Sequence, residues 1–151
     1  MTRGEQAIEN FKAGCNCSQA VLMSFSAELG LPREVMMKIS APFGGGLGRQ
    51  RLVCGAVSGM CMAAGLFLSK LPEEDPDWKA ELYEKIQDIS ARAVKANGSL
   101  ICAELLAGTG ATTGGRPEER TPEFYKKRPC PEIIAECADI LDGYLREKGV
   151  L

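Results

Sequence analysis

The most informative absence in this sequence is that of histidine. None of its 151 residues is a histidine, which excludes histidine-based acid–base catalysis, HExxH zinc sites and histidine-ligated haem. An excess of charge of either sign is also lacking, because 18 basic and 20 acidic residues leave a net charge of −2. Such a chain has no overall positive field to attract phosphate backbones, so we expect no nucleic-acid partner.

Targeting and membrane signals are lacking as well. No apolar run follows Arg3, so neither a secretory signal nor a twin-arginine leader is predicted, and we expect a cytoplasmic protein. The one long apolar segment, residues 51–68, is rich in Gly and Ala and only just long enough for a membrane span. We interpret it as a buried central helix and expect no association with a membrane.

The apolar pattern is helical almost throughout the chain. The length fits one domain covering residues 1–151, and 45% hydrophobic residues are enough for its core. We therefore predict an all-α, compact bundle of about six to seven helices around the Gly/Ala-rich helix at 51–68. The Gly/Thr/Pro-rich segment at 108–129 is predicted to be a flexible loop.

Cysteine is what the sequence has in excess, with seven residues. In a reducing compartment this number favours metal or redox chemistry over structural disulfides, and an odd number cannot all pair within one chain. Four of them lie at, or within about one turn of, a predicted helix start. These four are Cys17, Cys54, Cys102 and Cys130.

A helix start suits a thiolate, because its first turn offers unpaired N–H groups and the positive end of the helix dipole. Cations add to this at two of the four: Arg49 and Arg51 precede Cys54, and the basic run 126–128 precedes Cys130. If the four starts converge, they form an electropositive, thiol-lined pocket. Such a pocket suits a metal, an anionic cluster or a redox-cycling thiol pair.

The other three cysteines are expected to be small buried hydrophobic residues. Cys61 and Cys137 follow Cys54 and Cys130 by seven residues, about two helical turns, which is too far along the axis to share a ligand set. Cys15 is two residues from a predicted site cysteine, but a Cys-x-Cys pair alone is weak support for a role.

The glycine run at 44–48 matches no nucleotide-binding motif, because it lacks a Gly-Lys-Ser/Thr ending and does not follow a strand. Two other roles are open to it. It lets the chain turn sharply into the central helix, or it directs backbone N–H groups at sulfur.

These residues resemble the C-GCAxxG-C-C family of redox-active proteins, over nearly the whole chain. The matching segments are NCSQAVL at 16–22, FGGG at 43–46, CGAVSG at 54–59, SLICAELL at 99–106 and CP at 130–131. One departure is that Val53 precedes Cys54, where the family name has Gly. The resemblance selects the same four cysteines as helix position does and leaves Cys15, Cys61 and Cys137 as extras.

A related module occurs in split-Soret cytochromes c, where it is associated with an iron-sulfur centre. Haem cannot be carried over from them, because this chain has neither a Cys-x-x-Cys-His motif nor any histidine. The resemblance therefore implies an iron-sulfur site, and it leaves the family's biochemical role unassigned.

Three functions remain open. The first is electron transfer through an iron-sulfur cluster, [2Fe-2S] in the simplest case, whose cofactor-binding and metal-ligating residues are Cys17, Cys54, Cys102 and Cys130. The second is a metal-free thiol/disulfide redox protein with Cys54 or Cys130 as the catalytic thiol. The third is a non-catalytic domain, either a structural zinc domain with four cysteine ligands or a helical interaction module.

The partners follow from these hypotheses. An electron carrier or oxidoreductase component requires a redox partner protein, which the sequence does not identify. The small-residue face formed by Gly55 and Gly59 suggests a homodimer.

Overall fold

The computed structural model describes all of residues 1–151 and confirms the all-α prediction. Its right-handed α-helices are α1 (Arg3–Lys12), α2 (Cys17–Met23), α3 (Ser26–Leu29), α4 (Arg33–Ser40), α5 (Gly55–Leu68), α6 (Trp78–Asn97), α7 (Cys102–Leu105), α8 (Pro122–Lys127) and α9 (Cys130–Glu147). A 3₁₀ turn covers Ala41–Phe43. There is no β-strand, only an isolated antiparallel bridge between Val53 and Ile101.

Helix α5 forms the centre of the core, as expected for the most apolar segment. Ala56, Met60, Ala63 and Ala64 on this helix are fully buried, because α2, α6 and α9 all pack against it. The predicted start at residue 51 was too early: α5 begins at Gly55. Leu52, Val53 and Cys54 instead pair with the chain around residue 101.

The small-residue face of α5 packs within the chain. A Cβ added at Gly59 would lie 2.5 Å from the carbonyl oxygen of Ser18, and one at Gly55 would lie 3.0 Å from Cys17 Cβ. Only glycine permits this approach of α2. The face that suggested a homodimer is therefore occupied by a helix of the same molecule.

The structure has nine α-helices where about six to seven were predicted. The predicted helix 18–29 is divided, since α2 ends at Met23 and the Ser24 hydroxyl donates to the carbonyl of Val21 at 2.6 Å, a bond that competes with helix continuation. The predicted loop at 108–129 contains α8, which Thr121 caps by accepting from the N–H of Phe124. A capping threonine followed by proline was the overlooked signal.

None of the nine helices combines the length and the hydrophobicity needed to span a membrane.

Candidate redox site

The cysteines chosen from the sequence lie around one cavity. Cys17, Cys102 and Cys130 are the first residues of α2, α7 and α9, and Cys54 is the N-cap of α5. All four line a cavity of about 30 Å³, which has room for about two water molecules. Four separate helix starts therefore point at one small space.

Cys54 and Cys102 are brought together by pairing between the segments that precede their helices. The Cys54 N–H donates to the Leu100 carbonyl at 2.8 Å, and the Cys102 N–H donates to the Leu52 carbonyl at 2.6 Å. These bonds flank the bridge between Val53 and Ile101. They use two backbone donors of the kind that a helix start leaves unpaired.

The cavity depends on a turn of unusual handedness. Residues 45–49 all have positive φ, between 60° and 69°, and Arg51 has a φ of 60°. For Leu47 and the two arginines this region costs about 1–2 kcal/mol each. Gly46 is required for a second reason, because a Cβ there would lie 2.8 Å from Cys102 Cβ. The glycines thus serve the sharp turn that the sequence predicted and also a close approach to a site cysteine.

Cys130 and Cys17 line the same cavity and have opposite pKa shifts. The hydrogen bond from Cys17, opposed by burial, lowers the pKa of Cys130 to about 7. Arg128, Arg51 and Arg120 lower it further by their charge. The same hydrogen bond, together with burial, raises the pKa of Cys17 well above its usual value. Cys130 therefore has the greater thiolate character of the two.

Cys54 lies at a helix start but has a high pKa. Burial raises the pKa of its thiol to about 11, and the N–H groups of Val57 and Ala56 offset this only in part. Cys102 is also buried, and its Sγ accepts a hydrogen bond from Arg51 Nη1 at 3.7 Å. Of the two redox thiols expected from the sequence, only Cys130 has the thiolate character that this role requires.

The remaining cysteines lie outside the cavity. Cys137 is fully buried in the core and burial strongly raises its pKa. Cys61 is half-buried and has a pKa of about 11 because of burial. Cys15 lies with its Sγ 3.9 Å from Met37 Sδ. Of the three, only Cys137 is fully buried as expected for a small hydrophobic residue, whereas Cys15 and Cys61 are partly exposed.

An arginine cluster around Glu118 adjoins the cysteines; sequence reasoning identified its arginines as cations near the cysteines but missed Glu118. Arg128 forms an ion pair with the Glu118 carboxylate, which also lies 3.7 Å from Arg49 and 3.8 Å from Arg51. Although burial opposes the shift, the Thr112 N–H and Arg128 lower the pKa of Glu118 to about 2. Glu118 escaped notice because it lies in the segment predicted as a flexible loop.

The donor set suits a metal centre by its chemistry. Four cysteine sulfurs are the soft ligands of iron-sulfur and structural zinc sites. No group of three or more His, Cys, Asp or Glu side chains is arranged as a metal-ion site in this structure. The fit to a cluster therefore rests on the kind and number of donors that line the cavity.

Comparisons with known proteins show the family of the chain. The family model described as "Putative redox-active protein (C_GCAxxG_C_C)" matches residues 15–144. An uncharacterised protein of Archaeoglobus fulgidus is 23% identical over 150 residues, which cover 95% of this chain and 93% of that protein. No solved structure matches. Since the matched range includes all four cysteines of the cavity and most of the chain, the protein belongs to the C_GCAxxG_C_C family, whose members are described as redox-active.

Proposed function

We propose that the protein is an electron carrier in which Cys17, Cys54, Cys102 and Cys130 hold an iron-sulfur cluster, [2Fe-2S] in the simplest case. The observation that supports this is the convergence of these four sulfur-bearing residues, from four helix starts, on one cavity. When bound, such a cluster supplies reversible electron uptake at a potential that its surroundings set.

The groups around the cavity suit an anionic centre. The starts of α5 and α9, helices of 14 and 18 residues, present the positive ends of their dipoles to Cys54 and Cys130. Arg51 donates to Cys102 Sγ, and hydrogen bonds to ligand sulfur favour the reduced, more negative state. The walls also include Ile133, Ile134 and Leu106, which limit the access of water.

Metal and sulfide analysis of protein purified without oxygen tests this proposal. We expect equal amounts of iron and acid-labile sulfide, together with the visible absorbance of a cluster. Replacing any of the four cysteines by serine should lower the iron content strongly. The matched control is Cys61→Ser, on the same helix as Cys54 but outside the cavity, and it should retain iron.

The same analysis separates the alternatives. Stoichiometric zinc without sulfide would indicate a structural zinc site instead of a cluster. A colourless protein without metal, prepared under the same conditions, would contradict both.

A second function, thiol/disulfide exchange, is favoured by the placement of Cys17 and Cys130 along the same two cavities and by the lowered pKa of Cys130. In this reaction the Cys130 thiolate attacks a substrate disulfide, forming a mixed disulfide and releasing one substrate thiolate. Cys17 then gives up its proton and attacks Cys130 Sγ, which releases the second substrate thiolate. The substrate is reduced by two electrons and the protein is left with a Cys17–Cys130 disulfide.

Oxidised glutathione is a suitable probe of this exchange. Metal-free protein treated with it should lose two thiols, and peptide mapping should identify a disulfide between Cys17 and Cys130. In the Cys17→Ser variant the reaction should stop at the mixed disulfide between glutathione and Cys130. Oxidation at other cysteines, or none, would contradict the exchange function.

A further inference from the structure

A second and larger cavity, of about 290 Å³, lies beside the cysteine cavity. Cys17, Cys130 and Arg51 line both spaces, so a molecule in the larger one lies next to two of the site cysteines. Its volume is at the lower end of the range for small-molecule sites. The ligand that fits this space is therefore small.

The walls of this larger cavity, which we call the basic pocket, are strongly cationic. They carry four arginines, Arg49, Arg51, Arg120 and Arg128, and one acidic residue, Glu118. Four positive charges against one negative charge leave three positive charges, in a chain whose net charge is −2. A concave wall of one sign concentrates the field and attracts ions of the opposite sign.

The guanidinium groups are held in place before any ligand arrives. Arg49 Nε donates to the Gly114 carbonyl and Arg51 Nε to the Thr112 carbonyl, both at 2.9 Å. Such anchoring removes most of the entropy that a flexible side chain loses when it binds an anion.

The other two arginines are anchored partly by aromatic rings. Arg120 lies 4.0 Å from the centre of the Phe11 ring and donates to the Cys15 carbonyl at 2.7 Å. Arg128 lies 4.9 Å from the centre of the Phe124 ring. Arg120 also donates to the Phe11 carbonyl, so only the N–H groups at its edges that are not bound to the two carbonyls remain for a ligand.

Arg51, Arg120 and Arg128 stabilise the Cys130 thiolate, but this one negative charge and that of Glu118 offset only two of the four arginine charges. Arg51 is the only arginine that lines the cysteine cavity, whereas Arg49, Arg120 and Arg128 line only the basic pocket. Glu118 engages Arg49, Arg51 and Arg128, but Arg120 has no acidic partner. The contacts of Glu118 also show that Arg49, Arg51 and Arg128 can bind a carboxylate.

We propose that the basic pocket binds a small oxyanion, of the carboxylate or phosphate class, next to Cys17 and Cys130. Guanidinium groups match the oxygen spacing of both classes with paired, charge-assisted hydrogen bonds. Binding of the anion stands on the pocket alone.

The test is calorimetric titration of the full-length protein, as purified without oxygen, with inorganic phosphate and, in a second arm, with oxalate. Sodium chloride keeps the ionic strength constant. We expect saturable binding at a single site in at least one arm. The anion that binds with the lower Kd identifies the class of ligand. Arg120→Gln should weaken binding about tenfold or more, because a charge-assisted hydrogen bond is lost.

Arg116→Gln is the matched control, since Arg116 is exposed in the same segment and does not line the pocket. It should change the Kd less than twofold. Arg49→Gln, checked like the others by circular dichroism, provides a second pocket variant in case Arg120→Gln disturbs the fold. Saturation in neither arm, or equal weakening by the control and both pocket variants, would overturn the proposal.

Iron and sulfide measured on the same samples separate the two proposals. Iron and sulfide in the expected equal amounts, without anion binding, refute only the proposal of anion binding in the basic pocket. Anion binding without iron or sulfide refutes only the cluster.

Discussion

Cys130 and Cys137 lie seven residues apart on α9 and have opposite acid–base properties. Cys130 begins the helix, beside Cys17 and the arginines, and its pKa is about 7. Cys137 lies in the core, where burial strongly raises its pKa. On α5, the corresponding pair behaves differently, since Cys54 and Cys61 both have a pKa of about 11.

The comparison of the two helices indicates what makes a thiolate in this protein. A helix start is common to Cys54 and Cys130, yet only Cys130 has a lowered pKa. Cys130 has in addition a hydrogen bond from Cys17 and nearby arginines. The helix dipole alone is thus weaker than burial, and neighbouring donors and cations decide the outcome.

Gly46→Ala is expected to have the largest effect, because it disturbs the turn that brings the four cysteines to one cavity. The new alanine would have to keep the positive φ of Gly46, and its Cβ would lie 2.7 Å from the Leu52 nitrogen. The strain and the clash together should lower the free energy of unfolding by about 4 kcal/mol. Urea denaturation measures this loss.

Gly110→Ala is the control for Gly46→Ala, since Gly110 also has a positive φ but no atom near its added Cβ. It should lose only the strain, about 1–2 kcal/mol. Equal losses in the two variants would show that Cys102 does not need the close approach of Gly46.

Alkylation kinetics compare the two environments directly. In reduced, metal-free protein at pH 7, Cys130 should react with iodoacetamide about a hundredfold faster than Cys61. The larger thiolate fraction at Cys130 outweighs the lower nucleophilicity of a more acidic thiol. Peptide mass spectrometry at timed intervals gives both rates in one sample. Similar rates at the two residues would contradict the assigned pKa order.

The pH dependence of stability should also distinguish the two kinds of cysteine. Cys130, with its lowered pKa, contributes stability that is lost as the pH falls through about 7. Cys54 and Cys61 stay protonated in the folded state up to about pH 11, whereas the unfolded chain loses these protons near pH 9. Each therefore lowers stability between pH 9 and 11, by about 3 kcal/mol at most.

Cys61→Ala isolates one of these contributions. Urea unfolding at pH 8, 9 and 10 should show a smaller decline for this variant than for the wild type. An unchanged decline would mean that Cys61 titrates normally in the folded protein.

The smallest effect is expected from Arg128→Gln, which removes one cation near Cys130. The pKa of Cys130 should rise, and its alkylation at pH 7 should slow about threefold. Thiolate absorbance at 240 nm, followed against pH, measures the shift. Arg116→Gln is again the control, and an equal shift in that variant would implicate general charge rather than the Arg128 contact.

The sequence predicted the helical fold and the placement of the four cysteines at helix starts, because capping residues and apolar spacing are local signals. Asn16 caps α2 through a capping box, and Pro131 lies in the first turn of α9. These signals act within a few residues, so they could place each cysteine on its own helix but not relative to the others.

The convergence itself depends on long-range contacts that no local pattern encodes. The bridge from Val53 to Ile101 joins segments 48 positions apart. The positive φ angles of Leu47 and Arg49 run against their residue preferences, so composition does not predict them. Cys54 was expected to be a redox thiol from its place at a helix start. Its pKa is instead raised by burial, which is a property of the assembled core and is not visible in the local sequence.

The distribution of the four cysteines along the chain has a consequence for biosynthesis. They occur from position 17 to position 130, and the last belongs to the C-terminal helix, which packs against α1 at the other end of the chain. The ribosome must therefore synthesise the chain through α9 before the full set can meet. Insertion of the proposed cluster, which needs all four sulfurs, would have to follow the synthesis of that helix.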